Sequence, residues 1–204
     1  MATRQPFMFG AEAMPPTDPV QAWLDCHRAG ERPPLDDLCR LCEDRVRRLV
    51  RPRLRKFPLV VQDSQTTEVV NDTLLRLLKA LGRDVRLATV LDLERFLAAI
   101  IRRVLLDMTK AIQRRRRRVG ELGDGPVPEP DDDDFADIDL MVAFHEYVEA
   151  LPADEQALFD VFYYQGKTKA EAAERLGMAE TTAHTHWTKA RVRASKHLGA
   201  DLTE

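Results

Sequence analysis

The sequence predicts an all-α fold of two small helical domains, on three observations. Apolar residues recur at three- and four-residue spacing through every long segment. No segment alternates convincingly with period two, the mark of a half-buried strand. One acidic stretch rich in Pro and Gly, residues 119–139, breaks the helical pattern and reads as a flexible linker.

Residues 1–18 carry Pro, Met and Phe without a period and are expected to be a disordered tail. The first domain is expected over residues 19–118. It opens with a short helix from Pro19 to Ala29, Pro in its first turn and Gly30 ending it. From Leu35 the stripe Leu35, Leu38, Cys39, Cys42, Val46, Leu49, Val50 faces a core, with Arg40, Arg47, Arg48 and Arg51 opposite. A helix after Asp63 or Ser64 carries Val69, Val70, Thr73, Leu74, Leu77, Leu78 and Leu81. Another, from about Leu91 to Arg116, carries Leu93, Phe96, Leu97, Ile100, Val104, Leu105 and Met108, and runs into five arginines at 114–118.

The second domain, residues 140–204, is expected to hold four helices. MVAFHEYVEALP ends at Pro152, and ADEQALFDVFYYQG ends at Gly166. TKAEAAERLG starts at Thr168, whose spacing to Glu171 is that of a capping box, and closes at Gly177. AETTAHTHWTKARVRASKHL is the last. Two helices joined through a glycine, short then longer, is the sequence form of a helix-turn-helix. Ala173 sits at the crossing, Met178 is expected to plug the core, and Ala183, Trp187, Ala190 and Ala194 form the buried stripe. That leaves Thr181, Thr182, His184, Thr185, Thr188 and Lys189 facing outward on the half that enters a major groove. Hydroxyls there suit phosphates or base edges.

Charge is segregated. Residues 36–118 hold 21 Lys and Arg against 11 Asp and Glu, whereas residues 119–142 hold no Lys or Arg and 9 acids. The basic block suits a polyanion. The last domain, with 7 basic and 10 acidic residues from Ala143 onward, is weakly equipped to bind DNA alone. Every apolar run is broken by charge, so no membrane span is expected. The N-terminus lacks a secretory pattern and the three cysteines do not make a disulfide framework, which points to the cytoplasm. Cys26, His27, Cys39 and Cys42 could ligate zinc, but Cys39 and Cys42 lie on the core stripe, where a thiol packs as a small apolar group; no metal or cofactor is expected. The acids at 131–134 form a contiguous run that cannot converge on an ion. A subtler expectation is that they rest on the arginines at 114–118 and restrain DNA binding. Those arginines suit a helix end, yet five exceed that need, which favours DNA contact.

Together these residues resemble a family. LPADEQALFDVFYYQGKTKAEAAERLGMAETTAHTHWTKAR resembles region 4 of extracytoplasmic-function (ECF) sigma factors. QTTEVVNDTLLRLLKAL and FLAAIIRRVLLDMTKAIQRRRR are similar to their region 2. The resemblance covers residues 19 to 198 in order and implies partnership with core RNA polymerase and promoter DNA, with no enzymatic activity of the chain's own. Glu68, Val69, Asn71, Asp72 and Leu75 would meet the polymerase clamp helices. Arg102, Arg103, Lys110, Arg114 and Arg115 would engage the −10 element, with Asp107 there or organising its helix. The α-helical face from Thr181 to Lys189 would read the −35 element. An anti-sigma partner is compatible with the family.

Strand opening needs a basic surface and pockets for flipped bases. Phe57 and Phe96 are the only aromatics in the main helices of the first domain, and Phe96 sits on the apolar stripe. A base pocket is therefore expected in the loop from Gly82 to Val90, among Arg83, Asp84, Arg86 and Thr89. Relative to the family, Arg103 replaces a common Asn, Asn71 a common Gln, and Ala179 a capping Ser, at a cost of about 1 kcal/mol. His184 and His186 replace a common Lys and Arg, so promoter binding should be tighter at pH 6 than at pH 8. Equal affinity in titrations at the two values removes the histidines from the interface. Two rival functions fit parts of the sequence. A stand-alone regulator would bind duplex DNA as a dimer. A nucleic-acid enzyme would need a convergent catalytic set, and none is evident.

Overall fold

The computed structural model describes residues 18–83, 85–122 and 132–199, with the side chains of residues 119–122 and 132–138 left aside. All of its regular structure is helical among these residues. The expected tail, Asp84 and the middle of the linker lie outside them.

Helix α1 (Pro19–Arg28) starts where Asp18 accepts from the Val20 amide at 2.9 Å, and Gly30 closes it at φ 88°. Helix α2 (Leu35–Leu54) buries Leu38, Cys42, Val46, Leu49 and Val50 of the predicted stripe, while Leu35 in its first turn is exposed and Cys39 is half-buried. A helix the pattern does not announce, α3 (Pro58–Asp63), follows. Its six residues are too few to show a period, and the burial of Leu59 and Val60 holds it. Helix α4 (Thr66–Leu81) sets Val69, Val70, Thr73, Leu77 and Leu81 inward. Helix α5 (Val90–Leu122) outruns its expected limits at both ends. Thr89 and Asp92 cap it reciprocally: each side chain accepts from the other's amide, at 3.1 and 3.0 Å. Helices α2, α4 and α5 pack on one another, with α1 and α3 against them.

In the second half, α6 (Asp132–Ala150) begins eight residues before the expected Leu140. Acidic residues favour a helix N-terminus, which offsets their poor interior propensity. Helix α7 (Ala153–Leu158) runs into a π-helical turn, Phe159–Tyr164. Helices α8 (Lys169–Leu176) and α9 (Glu180–Leu198) form the predicted motif. The Thr168–Glu171 capping box is present, Gly177 is left-handed at φ 66°, and Ala179 caps nothing with its side chain. Lys167 and the Thr168 groups hold the Glu171 carboxyl down to about 2. Met178, the expected plug, and Trp187, expected on the buried stripe, are both half-buried; Trp187 stacks on Phe162 at 5.3 Å and lies edge-on to Phe159 at 5.1 Å. Ala183, Ala190 and Ala194 are buried.

The two halves share one hydrophobic core. Among the described residues no helix is long and apolar enough to cross a membrane.

Candidate nucleic-acid and polymerase interfaces

On α4, Glu68, Asn71 and Leu75 are exposed and Asp72 is half-buried. Leu75, at 53% exposure, is an apolar side chain turned to solvent on a helix whose other leucines are buried (Leu77, Leu81) or half-buried (Leu74, Leu78). Val69 is a correction. It is fully buried in the α2–α4–α5 core and cannot touch a partner without unpacking that core. The helical period is the reason: Val69 shares the inward stripe with Val70, Thr73 and Leu77.

Part of the basic face of α5 pairs with the second half, although Arg103, Lys110 and Arg117 stay substantially exposed. Arg102 is the second correction: it is 1% exposed and donates to Gln156 at 2.8 Å and to Asp160 at 3.4 Å. Arg53 of α2, also buried, donates to the same Asp160 oxygen at 3.0 Å and to the Leu49 carbonyl at 2.9 Å. Arg103 pairs with Glu149 and Lys110 with Glu146. Gln113 donates to Asp139 at 3.0 Å, and Arg117 lies 3.6 Å from it. Arg114 is exposed; Arg115 pairs with Asp63, and Arg116 donates to Gln62. Asp107 accepts from Arg76 at 2.8 Å, so it ties α5 to α4. Thr89 is taken up in capping α5, and Gln21 pins the same loop by donating to Ala88 and accepting from Val90, both at 3.1 Å.

Around the arginines lies an aromatic cluster that the sequence pattern does not disclose. Phe57 stacks on His145 at 4.1 Å across the two halves, and the His145 Nδ1 meets the Tyr164 hydroxyl at 2.6 Å. Lys56 sits 4.5 Å from the Tyr163 ring and Arg53 5.6 Å from the Tyr164 ring. Phe57 is therefore core and interface rather than a base-capturing ring. Phe96 is half-buried against the core. Burial, with the Arg102 and Lys56 charges, pushes the His145 imidazole down to about 3. The separated or unfolded chain takes up a proton near 6.5 and the docked one does not. Docking therefore weakens as pH falls below about 6.5, by up to about 1.4 kcal/mol per unit. Unfolding midpoints at pH 7 and 5.5 should differ accordingly, and His145→Phe should flatten the slope; an unchanged slope in that variant assigns the effect elsewhere.

The outward face of α9 is exposed by contrast. Thr181, Thr182, Thr185, Thr188 and Lys189 are exposed and His184 is half-buried. Thr185 donates to the Thr181 carbonyl at 2.8 Å and Thr188 to that of His184 at 3.0 Å, so each hydroxyl proton is used within the helix and the oxygen is left as an acceptor. Cys42 is buried and its thiol is raised to about 11 by burial, which suits core packing. Among the described residues no three His, Cys, Asp or Glu side chains converge as metal ligands.

No curated protein and no solved structure matches the chain. The family model described as ECF sigma factor matches residues 17–200, a span that takes in the α2–α5 bundle, the helix-turn-helix and the acidic stretch between them. The chain therefore belongs to the ECF sigma factor family: it is an RNA polymerase sigma factor, a partner of core polymerase that directs promoter recognition and transcription initiation.

Proposed function

We propose that the two halves divide the work of initiation. Residues 19–118 form the unit that carries the polymerase contact, through Glu68, Asn71, Asp72 and Leu75 of α4, and the −10 contact, through Arg103, Lys110, Arg114 and Arg115 of α5. Residues 140–204 form the unit that reads the −35 element, through Thr181, Thr182, His184, Thr185, Thr188 and Lys189. Residues 119–139 join them. The exposed hydroxyl-rich face of α9, set on a buried alanine stripe, carries this assignment: it presents short polar side chains at the end of a helix-turn-helix that enters the major groove. The arginines of α5 supply the sequence-independent part of the affinity. The bond-forming chemistry belongs to polymerase, and the chain works where polymerase does, in the cytoplasm.

Run-off transcription with purified core polymerase tests the division. Thr185→Ala with Thr188→Ala should relax −35 selectivity, at about 1–3 kcal/mol per lost base contact, while leaving polymerase binding intact. A chain that never directs initiation and instead binds palindromic duplex as a dimer is a stand-alone regulator.

A further inference from the structure

Five arginines and three carboxylates gather along the seam of the two halves, an excess of positive charge. Asp160 takes Arg53 of α2 at 3.0 Å and Arg102 of α5 at 3.4 Å. Glu94 of α5 takes Arg175 of α8 at 2.6 Å and lies 3.9 Å from Arg45 of α2, which also pairs with Asp18 at 2.9 Å. Arg95 of α5 is exposed and has no carboxylate partner among the described residues. The excess shows in unfilled donors. The Nε of Arg53 and of Arg102, and the Nε and Nη1 of Arg45, are buried and have no partner among the described residues. Leaving such donors unpaired is costly, and more so on a charged group. Asp160 and Glu94 cannot fill them, since each already serves two arginines.

A cleft of about 370 Å³, its open mouth included, lies beside these groups. Arg53, Arg95 and Arg175 line it with Glu94, Asp160 and Gln165. Arg53, at its floor, is fully buried. The cations come from both halves: Arg53 and Arg95 from the first, Arg175 from the second. The size suits a small ion, or the end of a larger molecule entering from outside. A tetrahedral oxyanion suits planar, forked guanidinium donors, each able to offer it two nitrogens.

We propose that this cleft binds a phosphate group, held by Arg53, Arg95 and Arg175. The anion bridges the halves, so the stability of the chain rises with phosphate concentration. The site uses none of the residues assigned above to polymerase or DNA.

The test uses the full chain without polymerase. Calorimetric titration with orthophosphate, and separately with adenosine 5′-monophosphate, reports binding. Thermal unfolding in phosphate against sodium chloride of equal ionic strength reports the bridge. Arg95→Ala removes a wall cation that pairs with no acid among the described residues. Arg32→Ala makes the same charge change at an exposed position outside the cleft. The wild type and the Arg32 variant should bind saturably and melt about 5–10 °C higher at roughly one hundred times the Kd. Arg95→Ala should melt with the wild type in chloride and bind about tenfold more weakly or worse. Tighter binding of the nucleotide assigns the site to a phosphate ester; equal or weaker binding assigns it to the free ion. Absence of saturable binding, or a midpoint no higher than in chloride, overturns the proposal, because water then fills the cleft. Binding that Arg95→Ala leaves unchanged also overturns it, by placing the anion elsewhere.

Discussion

Asp160→Ala is expected to undock the two halves of the molecule. Its carboxylate is the shared counter-charge of Arg53 and Arg102, both 1% exposed at their side chains. Removing one partner of a buried ion pair costs about 3–5 kcal/mol, because the remaining charge stays out of water. Here two cations would be stranded. One escape lowers that cost: parting of the two halves along their shared core hydrates both arginines. The penalty is then capped at the free energy of docking. The midpoint of thermal unfolding should fall by about 10 °C for a chain of this size, and the single calorimetric transition should resolve into two. Asp160→Asn keeps the hydrogen-bond geometry and should fall less. A variant that stays compact in scattering and melts with the wild type would show that Asp160 holds nothing.

The second large effect is on assembly rather than folding. Leu75→Asp places a carboxylate where an exposed leucine now meets solvent, so stability should change by no more than about 0.5 kcal/mol. If this leucine is the anchor of the polymerase contact, its loss costs about 2 kcal/mol of binding, roughly a 30-fold weaker holoenzyme. Run-off transcription at limiting sigma should drop by that factor and recover at high concentration. Val61→Asp is the matched control, since Val61 is equally exposed but lies on α3. Equal activity of the Leu75 variant and the wild type would move the contact off this face.

Elements with local signatures are legible in the amino-acid order alone. Thr168, Glu171 and Gly177 announce the start and stop of α8 because a capping box and a left-handed glycine are short-range chemistry. The stripes of α2, α4 and α5 are legible because 3.6-residue periodicity survives over many turns. Helix α3 is not, since six residues hold less than two periods. The acidic start of α6 reads as linker because its composition outweighs the end effect that lets acids open a helix. For the site, the outward face of α9 follows from its alanines. The burial of Arg102 does not follow from anything nearby. Its partners are 54 and 58 residues away, and the Arg53 contact to Asp160 spans 107. Nothing local marks an arginine as buried; an isolated Asp at 160 in an otherwise apolar turn, FDVFYY, is the one hint the chain offers.

The sharing of Asp160 has a consequence for how the molecule responds to force. Arg53 comes from α2 and Arg102 from α5, and both converge on a single oxygen of one side chain. Neither contact can be loosened in steps while the other persists, because withdrawing that oxygen ends both at once. Intermediate separations would leave two guanidinium groups dry and without an anion. Such a separation leaves Arg102 with Gln156 and Arg53 with the Leu49 carbonyl as their remaining partners. Withdrawal of Asp160 releases α2 and α5 in a single event, so one side chain answers for two helices at once.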